Sequence, residues 1–547
     1  MDINDTAPPP GFSPSSFHSS SPSSLSLSST TISQGHAPAD GKLVTYLASQ
    51  PIPRRDWQVL SEQAVESIFK LEASACDPVA SRIIDETDAH FFFDQFFATQ
   101  NPVIGLLDPE LHTPENVYAT SFTLFSVICA LGCAVSTRPR DKVIYHGLLQ
   151  LAEGNMQWCI AASVTSLETI QAILLMYHWA PVRHGRVSDD PSRLHLSHAV
   201  QLARLTGINN PIRVDKYVQA SGLAADSDAA VCLRRNYERC WLCLFNADKT
   251  FGGINGPRLS VAWDEIPQNM HEWWRQPGAT ATDQLVTGIV ETRGILFNAI
   301  DERKGANGDA RSVATWHKKW LHVLEHVKHV RCSPTNSHSS QYLPLLAFYI
   351  DHHILMLGAQ AVRELLASKD AANSATLSTI YEASAGVALR IFDAMLNGKP
   401  LGVFTRGFHN TQFIMVCHAL ADVRLAIVKS VFSPDDATKA AASARATAAY
   451  LNDVVRELPT SSAGRLYARL AQSLFDGVAP FEPLAHAAGD DVMASIPGAE
   501  EPWPADWLLP DGLFGNDILF ADSFDFGYNV ENLDQNTAVG DVKIDTK

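Results

Sequence analysis

Three histidines and a cysteine near the middle of the chain have the residue types and the spacing that could hold a metal ion. His322, His326, His329 and Cys332 fall on one face of a helix-forming stretch. Two histidines at positions i and i+4 can chelate a divalent ion, but ligands from a single helix cannot surround a metal tetrahedrally. The pattern therefore favours a solvated, weakly basic face with some pH sensitivity, and we predict no metal site. The adjacent apolar stripe, which we expect to face the core, comprises Trp316, Trp320, Val323, Val327 and Val330.

The nine cysteines are scattered along the chain and provide two close pairs. Cys240 and Cys243 form a Cys-x-x-Cys motif, and Cys129 and Cys133 are one helical turn apart. Neither pair is followed by a second pair at zinc spacing. An odd number of cysteines inside apolar helices favours reduced, buried thiols in an intracellular protein.

The stretch from Leu233 to Pro257 combines an amphipathic helix with a glycine-rich exit. Its apolar face contains Trp241 and Leu244, which we predict to be core residues. Asp248 follows one turn later, and we expect it to be partly buried and paired, because an unpartnered carboxylate there would be costly. The charged residues expected on the opposite side are Arg234, Arg235, Glu238 and Arg239. The residues expected to end the helix are Gly252, Gly253, Gly256 and Pro257.

The sequence lacks the residue patterns of known catalytic sites. It contains no phosphate-binding Gly-x-x-x-x-Gly-Lys, no Gly-x-Ser-x-Gly and no His-Glu-x-x-His. The glycines at 252, 253 and 256 follow a helix rather than a strand, which disfavours a dinucleotide site. We therefore predict no catalytic, cofactor-binding or metal-binding residues, no cofactor and no enzyme activity. The enzyme alternative is a helical terpenoid-type cyclase, whose Asp-rich candidates, Asp189-Asp190 and Asp490-Asp491, fall in polar stretches.

Helical periodicity dominates from about residue 54 to residue 475 and predicts an all-α fold. Thr165, with Glu168 three residues later, is expected to open one helix by a capping box, and Gly207 to close another. The predicted helices span 57–71, 89–99, 113–137, 141–163, a segment from 165, 193–205, 226–250, 282–299, 313–330, 342–367, 375–396, 411–431, 437–457 and 463–475.

Composition divides the chain into three parts, a Ser/Pro-rich linker at 1–50, a large multi-helix domain at 51–487 and an acidic tail at 488–547. The linker offers little that could offset ordering entropy, so we predict that it is disordered. The tail holds most of the net charge of −17. Acid–aromatic mixing of this kind typifies disordered activation segments, and the alternative is a tail docked on its own domain. Its aromatic residues are Trp503, Trp507, Phe514, Phe520, Phe524, Phe526 and Tyr528.

Charge and hydropathy disfavour several other classes of protein. The chain outside the tail is nearly neutral and has no basic arm, so it carries no electrostatic footprint for nucleic acid. The N-terminus has no basic segment followed by an apolar core, so we predict no secretory signal. The best membrane candidate, residues 122–135, is short for a span, and we expect a buried core helix there.

Several segments resemble, in their expected order, the middle homology region of fungal zinc-cluster transcription factors. Glu238-Arg239-Cys240-Trp241 through Asp248-Lys249 is similar to the Arg-Arg-x-Trp-Trp…Asp-Arg helix of that family. The likeness spans roughly residues 85–270, with compatible helices to about 475. The other segments that carry it are 90–97, 101–102, 106–109, 121–133, the Leu-Glu and Gln-Ala-Ile-Leu-Leu run at 166–175, 199–209 and the acidic stretch 264–267.

The resemblance implies a nuclear regulator of RNA polymerase II transcription that controls a metabolic or biosynthetic gene set. The acidic tail would contact the transcription machinery or a coactivator, and another transcription factor is a further candidate partner. The six closely spaced cysteines of the zinc cluster are missing here, since Cys76 is the first cysteine and stands alone. Truncation and loss of the DNA-binding module both stay open, as do the target genes, the effector, the sign of regulation and the oligomeric state. The alternatives are a co-regulator without its own DNA-binding domain and a helical metabolic enzyme.

Hydrogen exchange tests the predicted disorder of the two ends of the chain. Residues 1–41 and most of residues 490–547 should exchange their amide hydrogens within the first time point, because neither composition supports a packed core. The helical part of the same sample serves as the internal control. Strong protection in either end segment would contradict the prediction.

Overall fold

The computed structural model describes residues 77–181, 192–255, 261, 265–266, 270–303, 309–333, 340–367, 373–398 and 400–475. Every regular element in these residues is helical, which confirms the predicted all-α, multi-helix fold. The predicted disordered segments 1–50 and 488–547 and the predicted helix 57–71 lie outside the described residues.

The first half of the fold runs from α1 to α9. These helices are α1 (Glu86–Thr99), α2 (Asn101–Ile104), α3 (Pro114–Thr120), α4 (Phe122–Ala134), α5 (Pro139–Ala161), α6 (Leu167–His178), α7 (Ser192–Thr206), α8 (Pro211–Ala220) and α9 (Asp228–Asn255).

The second half continues from α10 to α17. These helices are α10 (Met270–Trp273), α11 (Asp283–Glu302), α12 (Ala310–Arg331), α13 (Leu343–Ala367), α14 (Asn373–Leu396), α15 (Asn410–Val428), α16 (Pro434–Val455) and α17 (Ala463–Ser473), with 3-10 turns at Ser340–Tyr342 and Gly402–Gly407.

Short polar side chains cap many of the helix starts, which explains why the sequence breaks into helices where it does. Ser121 accepts a hydrogen bond from the Leu124 amide at 3.1 Å at the start of α4. Asp309 accepts one from the Ser312 amide at 2.9 Å at the start of α12. Each such bond satisfies an amide that has no partner within its helix and contributes about 1 kcal/mol.

Three local predictions were wrong. The stretch 113–137 is two helices rather than one, because Ser121 is extended and caps the second helix. The cap of α6 is Ser166 rather than Thr165, since the Ser166 side chain accepts from the Thr169 amide at 3.1 Å. Helix α9 continues through Gly252 and Gly253 to Asn255, so these two glycines do not end it.

Two hydrophobic clusters form the core, and α11 contributes to both. Leu285 and Ile289 belong to the cluster built mainly from α11 to α17. Val286 and Val290, on the adjacent side of α11, belong to the cluster built mainly from α1 to α9. Helix α11 is therefore the element that the two halves of the core share.

The most apolar helices are buried in this core. Leu343–Ala367 and Asn410–Val428 are long and apolar enough to cross a membrane by length and composition alone, with 78% and 61% of their apolar windows buried inside the protein. The membrane candidate of the sequence corresponds to α4, whose residues are almost all buried, which confirms that it is a core helix. Trp241 and Leu244 are also buried, at 2% and 0% exposure, as predicted.

Gly132 allows α4 to pass close to α1. A Cβ atom at this position would overlap the main-chain carbonyl of Phe92. We predict that Gly132→Ala lowers the free energy of unfolding by about 1–3 kcal/mol, because backbone cannot move aside as a flexible side chain can. Urea denaturation of the full chain measures the change.

Gly147, on the exposed side of α5, provides the matched control. A Cβ atom there would meet nothing within 4 Å. Gly147→Ala should raise the free energy of unfolding by about 0.5–1 kcal/mol, since alanine favours helix over glycine. Equal effects of the two substitutions would show that the close approach of α1 and α4 is not a constraint.

Candidate ligand-binding site

The first of two buried polar networks joins α9 to the start of α11. Asp283 accepts hydrogen bonds from Arg239 Nε at 2.7 Å and from Arg235 Nη2 at 2.7 Å. The amide and hydroxyl of Thr280 also donate to it, at 3.0 and 2.9 Å. The Arg235 guanidinium stacks on the Trp273 ring, 3.8 Å from its centroid. Each of the two arginines thus has a carboxylate partner.

This pairing holds Asp283 in its charged form. Burial opposes ionisation of Asp283, but the charges and hydrogen bonds of Arg239 and Arg235 outweigh it and lower the pKa of the carboxyl. Arg235 and Arg239 are 2% and 0% exposed. The prediction that they lie on the solvated face of the helix was therefore wrong, because Asp283 compensates their charge inside the protein. We interpret this network as structural.

The second network surrounds Arg293 and leaves polar atoms unsatisfied. Arg293 lies on α11 and is 6% exposed. Its Nη1 donates to the main-chain oxygen of Asn246 on α9, while its buried Nε has no hydrogen-bond partner. No carboxylate in the described part of the chain lies within ion-pair distance of this guanidinium. Burial lowers the pKa of Arg293 to about 10, so it is charged at neutral pH.

Four titratable rings, Tyr177, His178, Tyr349 and His409, interact electrostatically with this guanidinium. The Tyr349 hydroxyl and His409 Nε2 are 2.9 Å apart, and the ring centroids of His178 and His409 are 4.6 Å apart. The Trp179 ring stands edge-on to His409, with the centroids 6.1 Å apart. We define the Arg293 site as Tyr177, His178, Trp179, Arg293, Tyr349 and His409, which come from the C-terminal end of α6, from α11, from α13 and from the start of α15.

Local structure explains the placement of the imidazoles. His409 is the residue before α15, and its amide donates to Gln412 Oε1 at 3.0 Å. The Asn410 side chain donates to the Ala180 carbonyl at 2.8 Å, which ties the start of α15 to the end of α6. Burial, with a contribution from the Arg293 charge, lowers the pKa of His178 to about 3 and holds that of His409 far below its usual value. Both imidazoles are thus neutral at pH 7, and Arg293 supplies the positive charge.

More buried histidines continue from this site along α13. His353 Nδ1 lies 3.0 Å from the Thr292 hydroxyl, and His352 Nε2 lies 3.3 Å from His418 Nδ1. Burial, together with the charge of Arg293, holds the pKa values of His352 and His353 well below the ordinary range. Neutral imidazoles can donate or accept, so they suit a polar interior without adding charge.

The metal-ligand candidates of the sequence are not among the residues of the Arg293 site. His322 and His329 are exposed on α12, as expected for a solvated face, whereas Val330 is 40% exposed and does not belong to the buried stripe. No group of at least three metal-ligating side chains that could hold an ion occurs among the residues described. Cys240 and Cys243 are buried free thiols, as predicted.

Asp248 is partly buried and paired, which confirms the prediction. It is 8% exposed, and its Oδ2 accepts a hydrogen bond from the Val261 amide at 3.1 Å. The Lys249 ammonium lies 3.9 Å from the same oxygen and also donates to the Val261 carbonyl. Asp248 and Lys249 thus hold the chain segment that follows α9.

Sequence reasoning missed Arg293, although its position gave a signal. Arg293 lies at helical spacing with Leu285, Ile289, Leu296 and Ile300, in the apolar stripe of α11. A single arginine in such a stripe is unusual, because burying a charge without a partner is costly. The missing information was which helices would pack around it.

Comparison with known proteins gives a distant similarity. Part of the chain is 26% identical over 221 residues to Protein priB from Lentinula edodes. The match covers 40% of this chain, and the chain spans about a third of that relative, 34% of its length. No family model and no solved structure matches. At this identity and coverage the similarity does not assign a family.

The paired network predicts a large effect of removing one arginine. Arg239→Met should lower the free energy of unfolding by about 3–5 kcal/mol, because Asp283 loses two hydrogen bonds and stays buried. Urea denaturation measures the loss. Lys142→Met, which removes an exposed ion pair with Glu457, is the control and should leave the free energy of unfolding nearly unchanged, because solvent screens that pair. A small effect of Arg239→Met would contradict the interpretation of this network.

The buried histidines predict a loss of stability in mild acid. The pKa of His353 is far below its value of about 6.5 in an unfolded chain. Below that pH the unfolded chain binds a proton that the folded protein excludes, so stability falls as pH falls. The loss at pH ~5.5 is about 1.4 kcal/mol for such a group. Urea denaturation at pH ~7.5 and ~5.5 gives the free energy of unfolding at each pH, and His353→Gln should reduce the difference between the two by this amount. An unchanged pH dependence would contradict the conclusion that His353 is buried in its neutral form.

Proposed function

We propose that this protein is a nuclear regulator of RNA polymerase II transcription, with an all-helical regulatory domain and an acidic activation tail. The observation that carries the proposal is the ordered set of motifs between residues 85 and 270 that resembles the regulatory region of fungal zinc-cluster factors. The observed all-α fold is consistent with that resemblance. The target would be a metabolic or biosynthetic gene set.

The Arg293 site supports a regulatory role for the helical domain. It lies where helices from both halves of the core meet, and Arg293 itself belongs to α11, which contributes to both hydrophobic clusters. A small molecule bound there would contact α6, α11, α13 and α15 together. Binding could thus change the relative stability of their arrangements, which is what a receptor domain requires.

The second candidate is a co-regulator that acts through another transcription factor. The observation in its favour is the charge distribution, since the chain outside the acidic tail is nearly neutral and has no basic arm for DNA. The two candidates differ in whether the DNA-binding module belongs to the same protein or to a partner.

A reporter assay tests the activation part of the proposal. Residues 490–547, fused to an unrelated DNA-binding domain, should activate transcription, because repulsion among the acids keeps the aromatic side chains available to a coactivator groove. Replacing the tail aromatics with Ala should abolish activation while all acids remain. The aromatics to replace are Trp503, Trp507, Phe514, Phe520, Phe524 and Phe526.

Two further outcomes separate the candidates. A wild-type tail that is inert in the reporter would contradict activation and favour repression or a co-regulator. The purified whole chain should bind DNA weakly at physiological salt, because its sequence has no basic arm that would release counterions. It should also carry no stoichiometric zinc, because the six closely spaced cysteines of the zinc cluster are missing. Tight, sequence-specific binding by this chain would contradict the co-regulator alternative.

A further inference from the structure

Arg293 is a buried cation that the described residues do not neutralise. Its side chain is 94% buried, being 6% exposed, and its one hydrogen bond to the described residues goes from Nη1 to the carbonyl of Asn246. Asp248 is the acidic group whose charge reaches it, and that carboxylate already binds the Val261 amide and lies beside Lys249. A buried charge without a counter-charge is costly in the absence of a ligand.

Arg239 shows how a buried arginine is paired with a carboxylate in this fold, although its Nη1 makes no hydrogen bond to the described residues. Arg239 donates to both oxygens of Asp283, at 2.7 and 3.1 Å, and its Nη1 lies 3.8 Å from Asp108. Arg293 lies on the same helix as Asp283 but has no such partner. Among the described residues, Arg235 and Arg239 thus share the Asp283 carboxylate, whereas Arg293 has no carboxylate partner and its Nε lacks an acceptor.

Neighbouring atoms of the Arg293 site lack partners as well. The buried Nε1 of Trp179 donates to no acceptor, and His178 Nδ1 has no hydrogen-bond partner in either tautomer. Arg293 Nε and Trp179 Nε1 are thus two buried N–H donors without an acceptor. Buried donors in native proteins normally have an acceptor, so the molecule that completes this site should bring acceptor oxygens.

The single positive charge of the site favours a ligand with one negative charge, and a carboxylate over a phosphate. Lys249 is a second cation whose charge interacts with that of Arg293, and its ammonium lies beside Asp248 and donates to the carbonyl of Val261. One unmet positive charge matches one negative charge. A guanidinium offers two parallel donors to a planar carboxylate, whereas phosphate sites commonly combine several cations or main-chain amides.

The rings of the site favour a carboxylate with a planar, aromatic body. His178 and His409 lie against each other, Trp179 stands edge-on to His409, and the Tyr349 hydroxyl contacts Nε2 of the same imidazole. Flat side chains of this kind pack well against a flat ligand. His178 and Trp179 are half-buried at the end of α6, so this end of the site is nearest to solvent.

We propose that the Arg293 site binds a small aromatic monocarboxylate, with the carboxylate paired to the Arg293 guanidinium and the planar body packed against the rings of His178, Trp179 and His409. This inference names the ligand class for the receptor role in the proposed function. The binding step itself does not depend on transcription.

Thermal denaturation of the purified full chain tests the ligand class. The probes are benzoate and indole-3-acetate, each compared with its neutral amide, and inorganic phosphate, all at constant ionic strength. A carboxylate present at well above its Kd should raise Tm by about 2 °C or more, and the matching amide should not. No shift with either carboxylate, or an equal shift with its amide, overturns the proposal. A shift with phosphate alone overturns the choice of a carboxylate.

Substitutions at Arg293 locate the effect. Arg293→Met should abolish the benzoate-induced shift and leave the ligand-free Tm equal or higher, because it removes an unpaired buried charge. Arg293→Lys keeps the charge without the planar fork and should weaken benzoate binding about tenfold or more, measured by calorimetry. Arg239→Met serves as the control for a paired arginine and should lower the ligand-free Tm. A comparable loss of Tm in Arg293→Met, or an undiminished shift in either Arg293 variant, contradicts the proposal.

The two proposals can fail separately. Benzoate binding that depends on Arg293, together with an inert tail in the reporter assay, supports the site and removes the transcriptional proposal. An active tail with no carboxylate-induced shift in Tm removes the Arg293 ligand class and leaves the transcriptional proposal in place.

Discussion

The ion pairs of Asp283 with Arg235 and Arg239 are the interaction on which the arrangement of the helices depends. They join the middle of α9 to the first turn of α11, and both charges are buried where water cannot replace a lost partner. Because α11 contributes side chains to both hydrophobic clusters, its position affects the packing of each half. The carboxylate also lies at the positive end of the α11 dipole, which adds to its stabilisation.

Helix α11 contains one buried charge with opposite charges beside it, Asp283, and one without them among the described residues, Arg293, and this difference defines the candidate site. At its start, each buried charge has an opposite charge; further along, Arg293 is buried with one hydrogen bond to a carbonyl. The histidines around Arg293 are held neutral by burial and by its positive charge, so they do not compete for an anion. Burying Arg293 without a carboxylate partner lowers the stability of the ligand-free protein. The anionic ligand that we propose would offset this loss.

Local sequence determined the helical fold, many of the helix starts and the character of α9. Apolar spacing placed Trp241 and Leu244 in the core, and the end of the same stripe marked Asp248 as paired. These inferences succeed because helix periodicity and capping depend on neighbours within about one turn. Where two signals compete within that range, as with Thr165 and Ser166 before α6, the sequence located the helix but missed its cap by one residue.

Only the tertiary structure decided which charges are buried. Arg239 and Asp283 are 44 residues apart in sequence, and nothing within a turn of Arg239 indicates that its partner lies on another helix. The Arg293 site depends on four helices that meet only after both halves of the core have packed, so its rings and its unmet donors could not be assembled from spacing alone. The physical reason is that a buried charge is stable only where an opposite charge or a hydrogen-bond partner compensates its desolvation. Tertiary packing, rather than local sequence, decides which partner lies nearby.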